Sequence, residues 1–141
     1  MRNVAAFFVG ALVSIPANFL LLGPLGQLLG SPDPPTASPM EEPDVWKQFI
    51  QSLTPLHLLG PLIAHWNGAF SGALAASLIA VDRRVNIPLY VAAFVMLGGV
   101  ANAFMLPGQP KLFLAIDLAG YIPYGYVGWF VAQSLRKSKR S

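Results

Sequence analysis

The chain has little charge and no cysteine. Only 11% of its 141 residues are charged, whereas a soluble globular domain typically carries about 25%. The absence of cysteine excludes disulfide bonds, thiolate metal ligands and thiol redox chemistry. Because 55% of the residues are hydrophobic, the composition predicts an integral membrane protein.

Familiar catalytic motifs are also missing. The chain contains no phosphate-binding loop, no dinucleotide fingerprint, no nucleophile elbow and no pair of acids at catalytic spacing. Its two histidines, His57 and His65, are eight positions apart, unlike the i, i+4 pairing of zinc helices. We therefore predict no enzymatic activity, no metal and no cofactor. A cofactor held by one of the histidines is a weaker alternative.

Four long apolar stretches, residues 4–29, 55–81, 87–106 and 112–135, approach or reach the roughly 20 residues that a helix needs to cross a bilayer. They are continuous rather than alternating, which favours helices over a barrel. The predicted fold class is an all-α, integral membrane four-helix bundle that forms a single transmembrane domain over residues 1–141. Prolines 16 and 24 predict a kink in the first span and allow an early end near Leu22.

Positive charge is distributed unequally around these spans. Lys47 and Lys111 lie on the side of the first outer loop, with the acidic residues of that loop. The other seven of the nine basic residues lie at the opposite ends of the spans: Arg2, Arg83, Arg84, Arg136, Lys137, Lys139 and Arg140. Since basic residues favour the cytoplasmic side, both termini are predicted to be cytoplasmic. The basic tail is interpreted as an anchor near anionic headgroups and not as a nucleic-acid site, because no groove-reading element accompanies it.

The first outer loop covers residues 30–54. Its prolines and small polar residues, up to Pro39, favour extended chain. A short amphipathic helix is predicted over residues 43–53, since Pro43 suits a first helical position and one face carries Val45, Trp46, Phe49, Ile50 and Leu53. We expect this helix to lie on the outer membrane surface. A helix that docks a partner protein is the alternative.

Small residues form stripes along the spans. In lipid, such residues allow close backbone approach and favour helix association. The predicted packing residues are Gly68, Gly72, Gly98, Gly99, Gly120 and Gly128. The same faces suggest self-association or membership of a larger membrane complex.

A set of polar residues inside the spans forms the candidate site. Asp117 is costly in hydrocarbon, by about 2.5 to 3.5 kcal/mol on insertion scales, so it should face protein or water, or be protonated. Its predicted partners are His65, Asn102, Tyr121, Tyr124 and Asn18. Such a cluster suits the binding of a proton, a cation or a polar substrate group. The alternative is that these residues only form hydrogen bonds between helices, which we favour for the asparagines and His65.

Three segments carry a resemblance: "AHWNGAFSGALAASLIAVDRR", "GGVANAFMLP" and "DLAGYIPYGYVG". In this order they resemble uncharacterised small bacterial inner-membrane proteins with four predicted spans. Those proteins share A-H-x-x-G-x-F-x-G, G-G-x-x-N-x-x-M-x-P and D-L-x-x-Y-x-P patterns in the second, third and fourth helices. The resemblance covers residues 60–130 and implies a bacterial inner membrane, but no activity. The matching positions are His65, Asn102, Asp117 and Tyr121.

The sequence predicts two functions of different classes. The leading one is a non-enzymatic interaction or accessory subunit of a membrane assembly. The spans contain many packing residues and few residues that could carry out a reaction. The alternative is an oligomeric proton- or ion-coupled small transporter or channel that uses Asp117 and His65. The expected partners are the lipid bilayer and either further copies of the chain or a larger membrane complex, and not nucleic acid.

Overall fold

The computed structural model describes residues 1–81 and 84–138, and these fold into five α-helices. The helices are α1 Arg2–Leu28, α2 Pro43–Ser52, α3 Pro55–Ile79, α4 Asn86–Met105 and α5 Lys111–Ser138. No strand occurs within the described residues. The all-α class is therefore confirmed, and the predicted short helix of the first loop is present as α2.

Three helices, α1, α3 and α4, are long and apolar enough to cross a membrane. This confirms the prediction of a membrane protein with transmembrane helices. Helix α5 has 28 residues but is less apolar, since it carries Asp117, three tyrosines and basic residues in its last turn. The fourth crossing stays a prediction.

Helix α3 lies at the centre of the fold and packs against α1, α4 and α5. Its contact surface consists of small residues, and Ala64, Ala69, Ala73 and Ala76 are fully buried. Small side chains bring helix backbones close together, which increases dispersion contacts where lipid removes the hydrophobic driving force. The long helices are therefore held together mainly through α3.

Most of the predicted packing glycines lie against a neighbouring helix. These are Gly68, Gly72, Gly99, Gly120 and Gly128. Gly98 is the exception, because a Cβ built at this position meets no atom of another element within 4 Å. Its prediction as a packing residue is wrong, since Gly98 lines an open cleft.

Basic side chains at both ends of the chain converge on the C-terminal end of α3. The Arg2 Nε donates to the Ile79 carbonyl at 3.1 Å, and the Arg136 guanidinium donates to the Ala80 carbonyl at 2.9 Å. The last carbonyls of a helix lack intrahelical partners and favour nearby positive charge. Helix α1 therefore begins where α3 and α5 end, and this is here called the terminal end of the fold. Three of the predicted basic flanking residues, Arg83, Lys139 and Arg140, lie outside the described residues.

Helix α1 runs through both of its prolines and does not end near Leu22. Its end is set instead by Gly30, which has a φ of 67°. The Ser31 N–H reaches the Gly26 carbonyl at 2.9 Å across this turn. A left-handed glycine with such a bond is a common helix terminator.

Candidate functional site

A cleft opens between α1 and α4 toward the end of the fold opposite the termini, here called the loop end. Near the terminal end the two helices are in contact, and the Phe7 and Phe94 rings pack edge to face at 5.8 Å. Beyond this contact, side chains within residues 14–27 of α1 and within residues 94–106, the second half of α4 and its C-cap, line a cleft of about 1190 Å³. At 1.5 Å per residue, the lining part of α1 spans about 20 Å.

Helix α2 covers the cleft at the loop end. Its apolar face, with Trp46, Phe49 and Ile50, lines the cleft, and Ile50 is buried. The Trp46 indole N–H donates to the Ala37 carbonyl at 2.8 Å, which ties the helix to the preceding loop. Most of the apolar face predicted from the sequence thus lines the cleft, whereas Val45 is exposed. The position of α2 on a membrane surface stays a prediction.

His65 and Asp117 form a close polar pair beside the cleft. The His65 Nδ1 lies 3.1 Å from Oδ1 and 3.0 Å from Oδ2 of Asp117. The Tyr121 hydroxyl donates to Oδ2 at 3.4 Å, and its ring stacks on the imidazole with a centroid separation of 6.1 Å. Asp117 is only 3% exposed. A carboxylate that is costly in hydrocarbon is therefore enclosed by hydrogen-bond donors.

Two glycines make room for this arrangement. Asp117 and Tyr121 are four residues apart on α5 and so share a face. The Tyr121 ring lies directly against Gly99 of α4, and the Trp66 indole lies directly against Gly120 of α5. Any side chain at these glycines would occupy the space of the rings.

The other predicted partners of Asp117 lie elsewhere. Asn18 and Asn102 line the cleft together with His65 and Tyr121, but within the described residues neither of them bonds to Asp117. Tyr124 stacks on Trp66 at 5.0 Å and is 41% exposed. It lies seven residues beyond Asp117, about 10.5 Å along the helix, which is too far to join the pair.

No protein-family model, curated protein or solved structure matches this chain. Its function is therefore inferred from the geometry of the site, and the resemblance to bacterial inner-membrane proteins stays a prediction.

Two further polar residues near the cleft, Asn67 and His57, have structural partners. The Asn67 amide donates to the Ala17 carbonyl at 2.8 Å and joins α3 to α1. His57 and Thr54 bond reciprocally at the start of α3, as in a capping box. Across residues 1–81 and 84–138, no group of three or more His, Cys, Asp or Glu side chains is placed to hold a metal ion.

Trp66 is a contributor that the sequence analysis missed. Its indole N–H donates to the Asp117 carbonyl at 3.1 Å, so the adjacent residues His65 and Trp66 of α3 both bind the same residue of α5. A signal was present, because an indole N–H inside a membrane needs an acceptor. The small residues Gly68 and Gly72, which drew attention in the sequence, face α1 and not α5.

The fold is closed on the terminal side of the pair. Gly125 of α5 packs directly against Ala92 of α4, and Gly128 packs against the Phe70 carbonyl of α3. Ala73 and Ala132 beside them are fully buried. The space between α3, α4 and α5 is therefore closed toward the terminal end, and the cleft extends in that direction no further than Ser14 and Phe94.

Proposed function

We propose that all four long helices cross a bacterial inner membrane, with both chain termini on its cytoplasmic side. The apolar helices α1, α3 and α4 support a membrane location, and α5 packs against two of them. Arg2 and Arg136 meet at one end of the fold, which agrees with the preference of basic residues for the cytoplasmic face. The choice of a bacterial inner membrane rests on the resemblance of residues 60–130.

In this four-helix bundle, the cleft holds a lipid-soluble molecule, and the protein acts as a non-enzymatic binding protein or accessory subunit. Small-molecule sites are mostly apolar cavities of about 300 to 1000 Å³ with a few convergent polar groups. The cleft is of this kind, because its walls carry Phe19, Leu22 and Leu97 and its inner end carries His65 and Asn18. The observation that carries the proposal is this polar inner end in a cleft whose walls are mostly apolar.

Binding is favoured over proton or ion transport. A transport path through Asp117 has to continue past His65 to the terminal end. The contacts of Gly125 with Ala92 and of Gly128 with Phe70 close that direction. If the Asp117→Asn variant abolishes a proton or ion flux across reconstituted liposomes, transport replaces binding as the proposed function.

A partner protein would bind to surfaces of this chain that lie outside the glycine stripes. The contacts of Gly68, Gly72 and Gly128 are made within the chain. A larger membrane complex would therefore contact exposed apolar side chains such as Phe8 and Leu12 of α1.

The binding proposal is tested by filling the cleft. Gly98→Trp places a large side chain in the cleft, because no neighbouring element lies within 4 Å of its Cβ position. Leu12→Trp is the control, since Leu12 is exposed on α1 and does not line the cleft. Both variants are reconstituted in lipid nanodiscs with a photoreactive fatty alcohol, and labelled residues are mapped by mass spectrometry.

We expect labelling of residues 14–27 and 94–106 in the wild-type chain and in Leu12→Trp, and a loss of at least about fivefold in Gly98→Trp. Equal labelling of the two variants would rule out the cleft as the binding site.

A further inference from the structure

Asn18, at the polar end of the cleft, has a side-chain oxygen that lacks a hydrogen-bond donor. This Oδ1 atom is buried, with almost no accessible surface, and has no hydrogen-bond partner in the described part of the chain. Buried polar atoms without a partner are uncommon in native proteins and call for an explanation such as an unseen ligand. Asn18 lines the cleft together with His65.

His65, which also lines the cleft, offers a second acceptor when its ring is neutral. Its Nδ1 faces both carboxylate oxygens of Asp117, which only accept when ionised, so Nδ1 carries the hydrogen. In the neutral ring Nε2 then has a free lone pair. The side chain is 13% exposed, and across residues 1–81 and 84–138 its only hydrogen bonds are those to Asp117.

The charges around the cleft limit which polar head group the bound molecule can carry. Within the described residues, no lysine or arginine lines the cleft, so an anionic head would find no positive partner beside the Asp117 carboxylate. Asp33 is the acidic residue that lines the cleft, and it belongs to the first loop. At the inner end, an ammonium head would have to lose its hydration shell, which is far less favourable than burying a neutral group. A neutral hydrogen-bond donor fits best.

We infer that the molecule held in the cleft is an amphiphile whose polar end is a hydroxyl group that donates to His65 Nε2 or, once the Asn18 amide turns toward the cleft, to Asn18 Oδ1. Its apolar body lies along Phe19, Leu22 and Leu97 and extends out of the protein through the opening between α1 and α4. This inference rests on the proposed binding function and specifies its ligand class.

The test compares two probes that differ only in the donor, para-dodecylphenol and its methyl ether. Equilibrium binding of each radiolabelled probe is measured on the full chain in lipid nanodiscs, with empty nanodiscs subtracted. A single good hydrogen bond to a buried acceptor predicts that the phenol binds about tenfold more tightly than the ether. Dodecylamine and dodecanoate, measured in the same way, should bind more weakly than the phenol.

Variants locate the acceptor. Asn18→Leu and His65→Leu each remove one acceptor, and we expect at least one of them to weaken phenol binding about tenfold while leaving ether binding unchanged. Gln48→Leu is the matched control, because Gln48 is an exposed amide of α2 that does not line the cleft, and it should change neither.

The outcomes separate the two proposals. If the phenol and the ether bind equally and Gly98→Trp abolishes both, the cleft binds ligands but the hydroxyl inference is wrong. Tighter binding of dodecylamine or dodecanoate, or a preference for the phenol that survives both acceptor variants, also overturns the inference. If no probe binds, the proposed binding function fails with it.

Discussion

Gly10 of α1 and Gly72 of α3 lie directly against each other. A Cβ at Gly72 would be 2.7 Å from the Gly10 carbonyl oxygen, and a Cβ at Gly10 would be 2.6 Å from the Gly72 carbonyl oxygen. Each backbone therefore occupies the space that a side chain on the other would need. This contact holds α1 and α3 together near the terminal end. Toward the loop end, the same two helices border the cleft.

Substitution at this contact should destabilise the fold, while the same substitution in the cleft should not. Gly72→Ala overpacks two backbones, and we expect a loss of about 1 to 3 kcal/mol in the free energy of unfolding. Gly98→Ala meets no neighbouring element within 4 Å and should gain about 0.5 to 1 kcal/mol from its better helix propensity. Unfolding in mixed dodecyl sulfate micelles, followed by circular dichroism, measures both. Equal effects at the two glycines would contradict the described packing.

The His65–Asp117 pair should show energetic coupling. A double-mutant cycle with His65→Gln and Asp117→Asn isolates their interaction, and residues in one hydrogen-bond network typically couple by about 0.5 to 3 kcal/mol. The control cycle combines Asp117→Asn with Asn67→Ala, because Asn67 bonds to Ala17 and not to Asp117. We expect the control cycle to be additive, as judged from the free energy of unfolding in micelles. Additivity in the first cycle would mean that the pair contributes nothing specific.

The absence of cysteine allows a direct test of the topology. Thr36→Cys places one thiol in the first loop, and Ser138→Cys places one at the end of α5, where both native residues are exposed. If both termini are cytoplasmic, a membrane-impermeant maleimide should label only Thr36→Cys on intact cells and both variants after lysis. Labelling of Ser138→Cys on intact cells would overturn the proposed orientation.

Glu41 in the first loop should titrate at an unusually low pH. The backbone N–H of Ser38 donates to its Oε2 at 3.1 Å and the Ser38 hydroxyl donates at 3.0 Å. These bonds favour the charged form and lower the pKa of Glu41 from its ordinary value of 4.5. The turn is therefore fully stabilised above pH 4.5 and loses this contribution only as the pH falls through the lower pKa of the folded chain.

Ser38→Ala removes the hydroxyl bond but keeps the backbone bond. It should raise the pKa of Glu41 part of the way toward the ordinary value. An NMR titration of the Glu41 carboxyl carbon measures the change, with the wild-type chain as reference. An unchanged pKa in the variant would show that the hydroxyl bond is not formed in solution.

Local signals in the sequence predict the helices well. The predicted stretches 55–81 and 87–106 correspond to α3 over Pro55–Ile79 and α4 over Asn86–Met105. Pro55 and Pro88 lie at the starts of these helices, and Pro107 and Gly108 follow the end of α4. Proline and glycine are such signals because they act on the backbone of their own and adjacent residues. For the same reason Pro43 correctly indicated the start of α2. The end of α1 was ambiguous because a proline inside an apolar helix permits either a kink or a stop.

The contacts of Asp117 illustrate the limit of such reasoning. The cost of a buried carboxylate is a property of the residue alone, so an enclosed position among polar groups follows from the sequence. The sequence does not specify which of the five candidate side chains contacts the Asp117 carboxylate, because this depends on how far α3, α4 and α5 are displaced along one another. Tyr124 shares a face with Asp117 by periodicity and still lies two turns away.

By itself, the order of residues determined that the chain is helical and apolar, where each helix begins, and which polar side chains cannot face lipid, because these properties depend on the composition and spacing of nearby residues. Only the tertiary structure decided that His65 and Trp66 both meet Asp117, that the glycine stripes are used within the chain, and that α1 and α4 part to form a cleft. Those features depend on the angles and offsets at which distant helices cross, and such angles arise from the summed fit of many small contacts that no single motif encodes.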